Sequence, residues 1–145
     1  MKLLATVLLL ASAAVVQPAD MARIKAEQNL EKRSRLALSH AEDTLKAARK
    51  AYDSGDLKRA QALIEESLAS VELAHRSLQD TGKDPRRKPK HFKHAEIETR
   101  DLLRHVEAFE NAMSYDDRQV LQKFKTRTHE IHDELLKGIM QGKKK

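Results

Sequence analysis

The chain has 145 residues and no cysteine, so its length suits one domain and disulfides, thiolate metal sites, covalent haem attachment and a cysteine nucleophile are excluded. Aromatics are limited to Tyr52, Phe92, Phe109, Tyr115 and Phe124, and a composition rich in Ala, Leu, Glu, Lys and Arg favours helix and argues against a β fold. The formal charge is +6, from 28 basic and 22 acidic residues, mostly intermixed as helix-face pairs such as Glu31–Arg35 and Glu42–Lys46.

Residues 1–19 carry the three-part pattern of a secretory signal peptide: Lys2, an apolar run from Leu3 to Leu10, and small residues at Ala11–Ala14. Cleavage is expected after Ala13, Ala14 or Ala19. The apolar run is short for a bilayer, which takes about 20 residues to cross as a helix. No cysteine follows it, so it is not a lipoprotein anchor. The expected product is a soluble chain, periplasmic or secreted, with no transmembrane span after cleavage. Its charge is one unit lower, because Lys2 leaves with a segment that holds no acid.

The first helix is expected over about 20–53. Ser34, Leu38, Ala41, Leu45, Ala48 and Tyr52 alternate spacings of four and three, which places them on one face. Upstream, only Met21, Ile24 and Leu30 are apolar, so the first turns are expected to overhang the core or to pair with a second copy in a homo-oligomer. "DSGD" then ends the helix: Gly55 accepts a left-handed backbone, and Asp53 or Ser54 is a suitable cap for the next helix.

The second helix, about 56–80, carries Leu57, Ala60, Ile64, Leu68, Val71, His75 and Leu78 on one face. It ends in "TGKDPRRKPK", where Gly82 suits a helix end and Pro85 and Pro89 cannot sit inside a regular helix. The third, about 90–113, shows Phe92, Ala95, Thr99, Leu102, Val106, Phe109 and Met113. The fourth, about 115–140, shows Val120, Leu121, Phe124, Thr128, Ile131, Leu135 and Ile139. Ser114, with Asp117 three residues on, has the form of a capping box. A basic tail, residues 143–145, completes the sequence. Short links make each pair of helices antiparallel. The expected fold is all-α: a four-helix antiparallel bundle, coiled-coil-like in its seams, of two αα-hairpins joined by a basic, Pro-containing connector.

The corner "AARKAYDSGDLKRAQALIEES" resembles the inter-helix corner of a tetratricopeptide repeat, with Ala48, Tyr52, Gly55 and Ala60 at the positions that family fills with small, bulky, glycine and alanine residues. The family's period is about 34 residues. That step from Gly55 lands on Pro89, in the connector, and the helices are too long for the repeat, so the corner reads as a single αα-hairpin whose small residues let two backbones approach.

Seven histidines are the residues most suggestive of chemistry. His91 and His94 are three apart, as are His129 and His132, so each pair shares a helix face, and paired imidazoles can ligate Zn, Cu or Ni. Counted from the turn near Tyr115, His132 is level with Glu98, so His94, Glu98, His129 and His132 form a candidate metal site. "HEIH" lacks the spacing of the zinc-protease HExxH. Glu72-x-x-His75 resembles one element of a ferritin-like di-iron site, which needs two such elements and further inward glutamates that the other apolar faces do not provide. His75 is instead expected to be partly buried and hydrogen-bonded across the bundle.

The connector is the second candidate. Lys83, Arg86, Arg87, Lys88, Lys90 and Lys93 face one acid, Asp84, and Arg86, Arg87, Lys88 and Lys90 are the expected contacts for an anionic partner. Export and the lack of interleaved aromatics disfavour nucleic acid. No Gly-rich phosphate loop or nucleophile elbow is present, and adjacent carboxylates such as Glu65 and Glu66 diverge on a helix, so no enzyme is expected. The expected function is a non-enzymatic binding or structural module of the cell envelope, its partner an anionic envelope component or a protein, with no cofactor. The alternative is a periplasmic metal-binding or metal-buffering protein that uses the histidine pairs.

Overall fold

The computed structural model describes residues 18–141. The segment ahead of Pro18, which holds most of the export pattern, and the basic tail at 143–145 lie outside them. Helices are the only regular elements among the described residues: α1 (Pro18–Ala26), α2 (Leu30–Asp53), α3 (Leu57–Asp80), α4 (Lys90–Ala112), a 3-10 helix (Tyr115–Leu121) and α5 (Gln122–Gln141). The five α helices pack together.

The apolar faces read from the sequence form the core. Leu38, Leu68, Leu102 and Ile131, one from each of the four long helices, are all buried, as are Ala41, Ala48, Ala60, Ala74, Val71, Val106, Phe109 and Phe124. Gly55 takes φ 82° in the α2–α3 turn, which an L side chain adopts only with strain. The cap of α3 is Asp56, whose Oδ1 accepts from the Arg59 amide at 3.0 Å, not Asp53 or Ser54. Ser54 instead donates its hydroxyl back to the Lys50 carbonyl.

The expected first helix, about 20–53, is two helices. Its continuity fails at Glu27–Asn29. Asn29 caps α2, its Oδ1 accepting from the Lys32 amide at 3.0 Å, and the Glu27 carboxylate accepts from the Asn29 amide. Asparagine satisfies a helix start better than a helix interior. The break also corrects the expected overhang. Ile24 joins the core, Met21 packs against it, and the Ser70 hydroxyl of α3 lies 3.4 Å from the Met21 sulfur. Arg33 fastens this arrangement, donating from Nε to Ser77 Oγ at 2.9 Å and from Nη1 to the Lys25 carbonyl.

The expected fourth helix, about 115–140, likewise begins as 3-10. Ser114 does not cap it through its side chain; its hydroxyl donates to Asp117 Oδ2 at 2.8 Å. The same carboxylate oxygen accepts from the Tyr52 hydroxyl at 2.9 Å, and the Tyr52 oxygen accepts from the Ser114 amide at 3.0 Å. Tyr52 also meets Phe109 edge to face, with ring centres 5.8 Å apart. One side chain at the end of α2 thus anchors the turn between α4 and the 3-10 helix. A tertiary network of this kind overrides the local capping signal.

α2 and α3 run antiparallel, in a register set by Arg33–Ser77, His40–Glu66 and a 2.6 Å hydrogen bond from Ser67 Oγ to the Ala41 carbonyl. α4 and α5 run antiparallel through Glu96–His132 and Glu110–Lys125. α2 lies beside α4, joined by Glu31–His91, and α3 lies beside α5, joined by His75–Glu134 and Glu72–Arg127. These lateral neighbours run parallel, so the connector must cross the end of the assembly to carry the chain from α3 to α4.

Substitutions at buried small and hydroxyl residues test this core. Ala41 is fully buried where the Ser67 hydroxyl reaches its carbonyl. Ala41→Leu forces α2 and α3 apart and lowers the unfolding free energy by about 1–3 kcal/mol or more in urea titration, whereas Ala62→Leu on the exposed face of α3 is near neutral. The hydroxyls of Thr44 and Thr128 are buried with no hydrogen-bond partner among the described residues. Exchanging either for valine keeps the shape and removes an unsatisfied group, so the urea midpoint rises, by about 1 kcal/mol in free energy.

Candidate functional site

The connector, residues 81–89, is an ordered turn. The Thr81 hydroxyl donates to the Leu78 carbonyl and accepts from the Lys83 amide, and Gly82 takes φ 67°. Asp84 organises the turn on its C-terminal side. Its Oδ1 accepts from the Arg86 amide at 2.9 Å, and its carbonyl accepts from the amides of Arg87 at 3.1 Å and Lys88 at 2.9 Å. Pro85, at the second position of that turn, supplies the fixed φ it needs.

Two anchors hold this turn on the helices. Pro85 packs on Gly138 of α5, where a Cβ would come 3.3 Å from the proline Cγ. Glu31 of α2 receives Lys83 Nζ on one oxygen and His91 Nε2 on the other, the latter at 3.0 Å. The Lys83 hydrogen bond is the main cause that holds the Glu31 carboxyl below the ordinary glutamate range; burial opposes it, and the charges of His91, Lys83 and Lys88 add to the lowering.

With the connector so held, Arg86, Arg87, Lys88 and Lys90 are all exposed. Arg87 Nε is 4.0 Å from Asp84 Oδ2, and Arg86, Lys88 and Lys90 make no side-chain ion pair among the described residues. α4 starts at Lys90 with no side-chain cap and no acid in its first turn, so the positive end of its dipole adds to the same field. The structure therefore brings all four expected contact residues to one end of the molecule.

Beneath the connector lies a cleft of about 270 Å³, walled by Pro85, Phe92 and Leu135 and bordered by Lys83, His75 and Glu134. His75 is buried on α3 and places Nε2 3.3 Å from Glu134 Oε2 of α5, an ion-pair contact across the helices rather than the hydrogen bond expected of it. Burial pushes the imidazole pKa down, the nearby Arg127 charge adds to the effect, and Glu134 opposes it. Glu72, three residues earlier, is engaged by Arg127 Nε at 3.4 Å and does not face a metal.

The metal-site residues are not brought together. His132 Nε2 binds Glu96 at 3.0 Å, not Glu98, and its Nδ1 is 3.5 Å from Asp133. The packed register sets His132 against Glu96 rather than the Glu98 that a count from Tyr115 gives, and Glu98 lies about 200° around α4 from Glu96. His129 is exposed in a groove of mixed charge, with Arg100, Arg104 and Lys125 beside Glu107 and Asp133. His94 and Glu98 make no ion pair with each other. Among the described residues no group of three His, Asp or Glu side chains converges to hold a metal ion.

A different pattern, not anticipated from the sequence, accounts for four of the histidines. His40–Glu66 bridges α2 to α3, His75–Glu134 bridges α3 to α5, His132–Glu96 bridges α5 to α4, and His91–Glu31 bridges α4 to α2. Each lateral seam thus carries one imidazole–carboxylate contact, at 3.0–3.3 Å. The signal for it is a histidine on or beside the apolar face rather than opposite it. Comparison with protein families, curated proteins and solved structures gives no match to this chain.

The sign of one pH effect comes from His75. Its folded-state pKa lies below the unfolded value, so the unfolded chain takes up the proton first. The contribution of this site is therefore intact above about pH 6.5 and is lost as pH falls below that. His75→Gln is expected to flatten this part of the curve: the gap in urea midpoint between wild type and variant narrows from pH 8 to pH 5.5.

Proposed function

We propose that this chain is an exported, non-enzymatic helical protein, a four-helix antiparallel bundle of two αα-hairpins, and that it serves in the cell envelope as a binding or structural module. Its contact with an anionic partner runs through Arg86, Arg87, Lys88 and Lys90. The observation that supports this reading most is the preorganisation of the connector. Asp84, Glu31 and Gly138 hold the backbone, so four exposed cations are presented together without a large ordering cost on binding. Lys83, by contrast, is committed to Glu31.

Export rests on the pattern in residues 1–19. α1 begins at Pro18, so cleavage after Ala13 or Ala14 leaves it whole, whereas cleavage after Ala19 removes its first two residues. No helix among the described residues is long and apolar enough to cross a membrane. The non-enzymatic assignment rests on a sequence without a phosphate loop, a nucleophile elbow or a thiol.

The test is retention on immobilised heparin and on anionic vesicles over a salt series. Wild type is retained at low salt and released as screening shortens the reach of the charges. A variant with Arg86, Arg87, Lys88 and Lys90 all changed to Gln is released at clearly lower salt with an unchanged melting temperature. Equal retention of the two proteins on every anionic matrix refutes the contact role.

A further inference from the structure

The connector cations share their end of the molecule with exposed apolar side chains. Most large apolar residues are buried, but on α5 Leu136 is 40% exposed and Met140 is 71% exposed. They are four residues apart and so lie one above the other on the outside of the helix. The α4–α5 register places them in height. His132 is level with Glu96, so one turn further along α5 sets Leu136 beside Phe92–Lys93, and a second turn sets Met140 beside Lys88–Lys90.

Lys88, Lys90 and Lys93 are exposed at the heights that this register sets beside the pair, and Lys137 follows Leu136 on α5. On the same turns of α5, Asp133 contacts His132 and Glu134 contacts His75, and both carboxylates stay exposed. An aqueous polyanion such as a sulfated glycan has use for the cations and none for exposed leucine and methionine. A bilayer with anionic headgroups uses both: phosphates meet the lysines and arginines, and short apolar side chains enter the boundary between headgroup and acyl chain.

We infer that the anionic partner of the connector is a lipid surface, which this protein meets end-on, with Leu136 and Met140 inserted at headgroup depth inside a ring formed by Arg86, Arg87, Lys88, Lys90 and Lys93. The inference rests on the contact role proposed for the connector and adds the identity of the partner. The contact is peripheral, since no described helix can span the bilayer. Tyr115, also strongly exposed, lacks this setting: it stands at the opposite end, beside Asp116 and Asp117.

Wild type and three variants test it on two surfaces. The surfaces are vesicles of phosphatidylcholine with a large fraction of phosphatidylglycerol, and immobilised heparin. The double variant Leu136→Ser with Met140→Ser is expected to bind the vesicles about tenfold more weakly, the effect of withdrawing two partly inserted side chains. Its heparin retention stays that of wild type. Met140→Cys is a unique labelling site in a chain without cysteine. Carrying an environment-sensitive fluorophore, it is expected to shift to the blue on anionic vesicles and to stay unshifted on soluble heparin.

Unchanged vesicle affinity in the double variant, or no blue shift on vesicles, overturns the lipid inference and leaves a glycan or acidic protein as the partner. The Arg86, Arg87, Lys88 and Lys90 neutralised variant separates this failure from that of the contact role, since it loses both surfaces if the connector is the contact and neither if it is not.

Discussion

The close approach of the α2 and α3 backbones is the constraint on which the rest of the structure depends. Their facing surfaces are lined with Ser34, Ala37, Ala41, Ala48, Ala60, Ser67 and Ala74, all buried. The approach is near enough for a serine hydroxyl on one helix to reach a main-chain carbonyl of the other. In a chain with no cysteine to form a disulfide, dense packing of this kind must supply the stability. It also sets the platform. Met21 and Ile24 can cover this pair because it presents a shallow small-residue surface, and α4 and α5 close the other side with Phe92, Phe109 and Phe124.

The parallel arrangement of α2 beside α4 and of α3 beside α5 decides the position of the connector. A chain that leaves α3 and enters α4 has to pass over the end of the assembly, between the start of α2 and the last turns of α5. It meets Glu31 on the first and Gly138 on the second. A nine-residue basic segment that would otherwise be a solvated loop is thereby fixed at both flanks, and its cations project outward by default. The cleft beneath it is a by-product of the same crossing, with Pro85 as roof and Phe92 and Leu135 as walls. Nearby, the imidazole–carboxylate contacts at the four seams keep polar groups satisfied at the margins of the core, where an unpaired side chain would be costly.

Much of this is legible in the sequence. The four long apolar faces, the glycine turn at Gly55, the end of α3 near Gly82, the burial of His75 and the exposure of the connector cations all come from spacing and residue type. The departures have specific causes. Asn29 is a strong cap in the middle of a segment whose apolar spacing continues through it, and periodicity alone hides the break. Ser114 and Asp117 carry a local capping signal that the distant Tyr52 redirects. Counting residues from the turn near Tyr115 pairs His132 with Glu98, whereas the register in which α4 and α5 pack selects Glu96.

The sequence by itself determined the all-helical class, the buried faces of the four long helices and the concentration of charge between α3 and α4. Each of these is a local property: repeat spacing, a residue that tolerates a left-handed turn, or a proline that ends a helix. It also excluded thiol chemistry through composition alone. Only the tertiary structure decided which helix stands beside which, and hence which glutamate meets each histidine and what holds the connector. The physical reason is that helix periodicity specifies the side of a helix that must be buried, but not the partner that buries it. That choice is made by packing two backbones closely enough, and it then carries every polar contact on the seams with it.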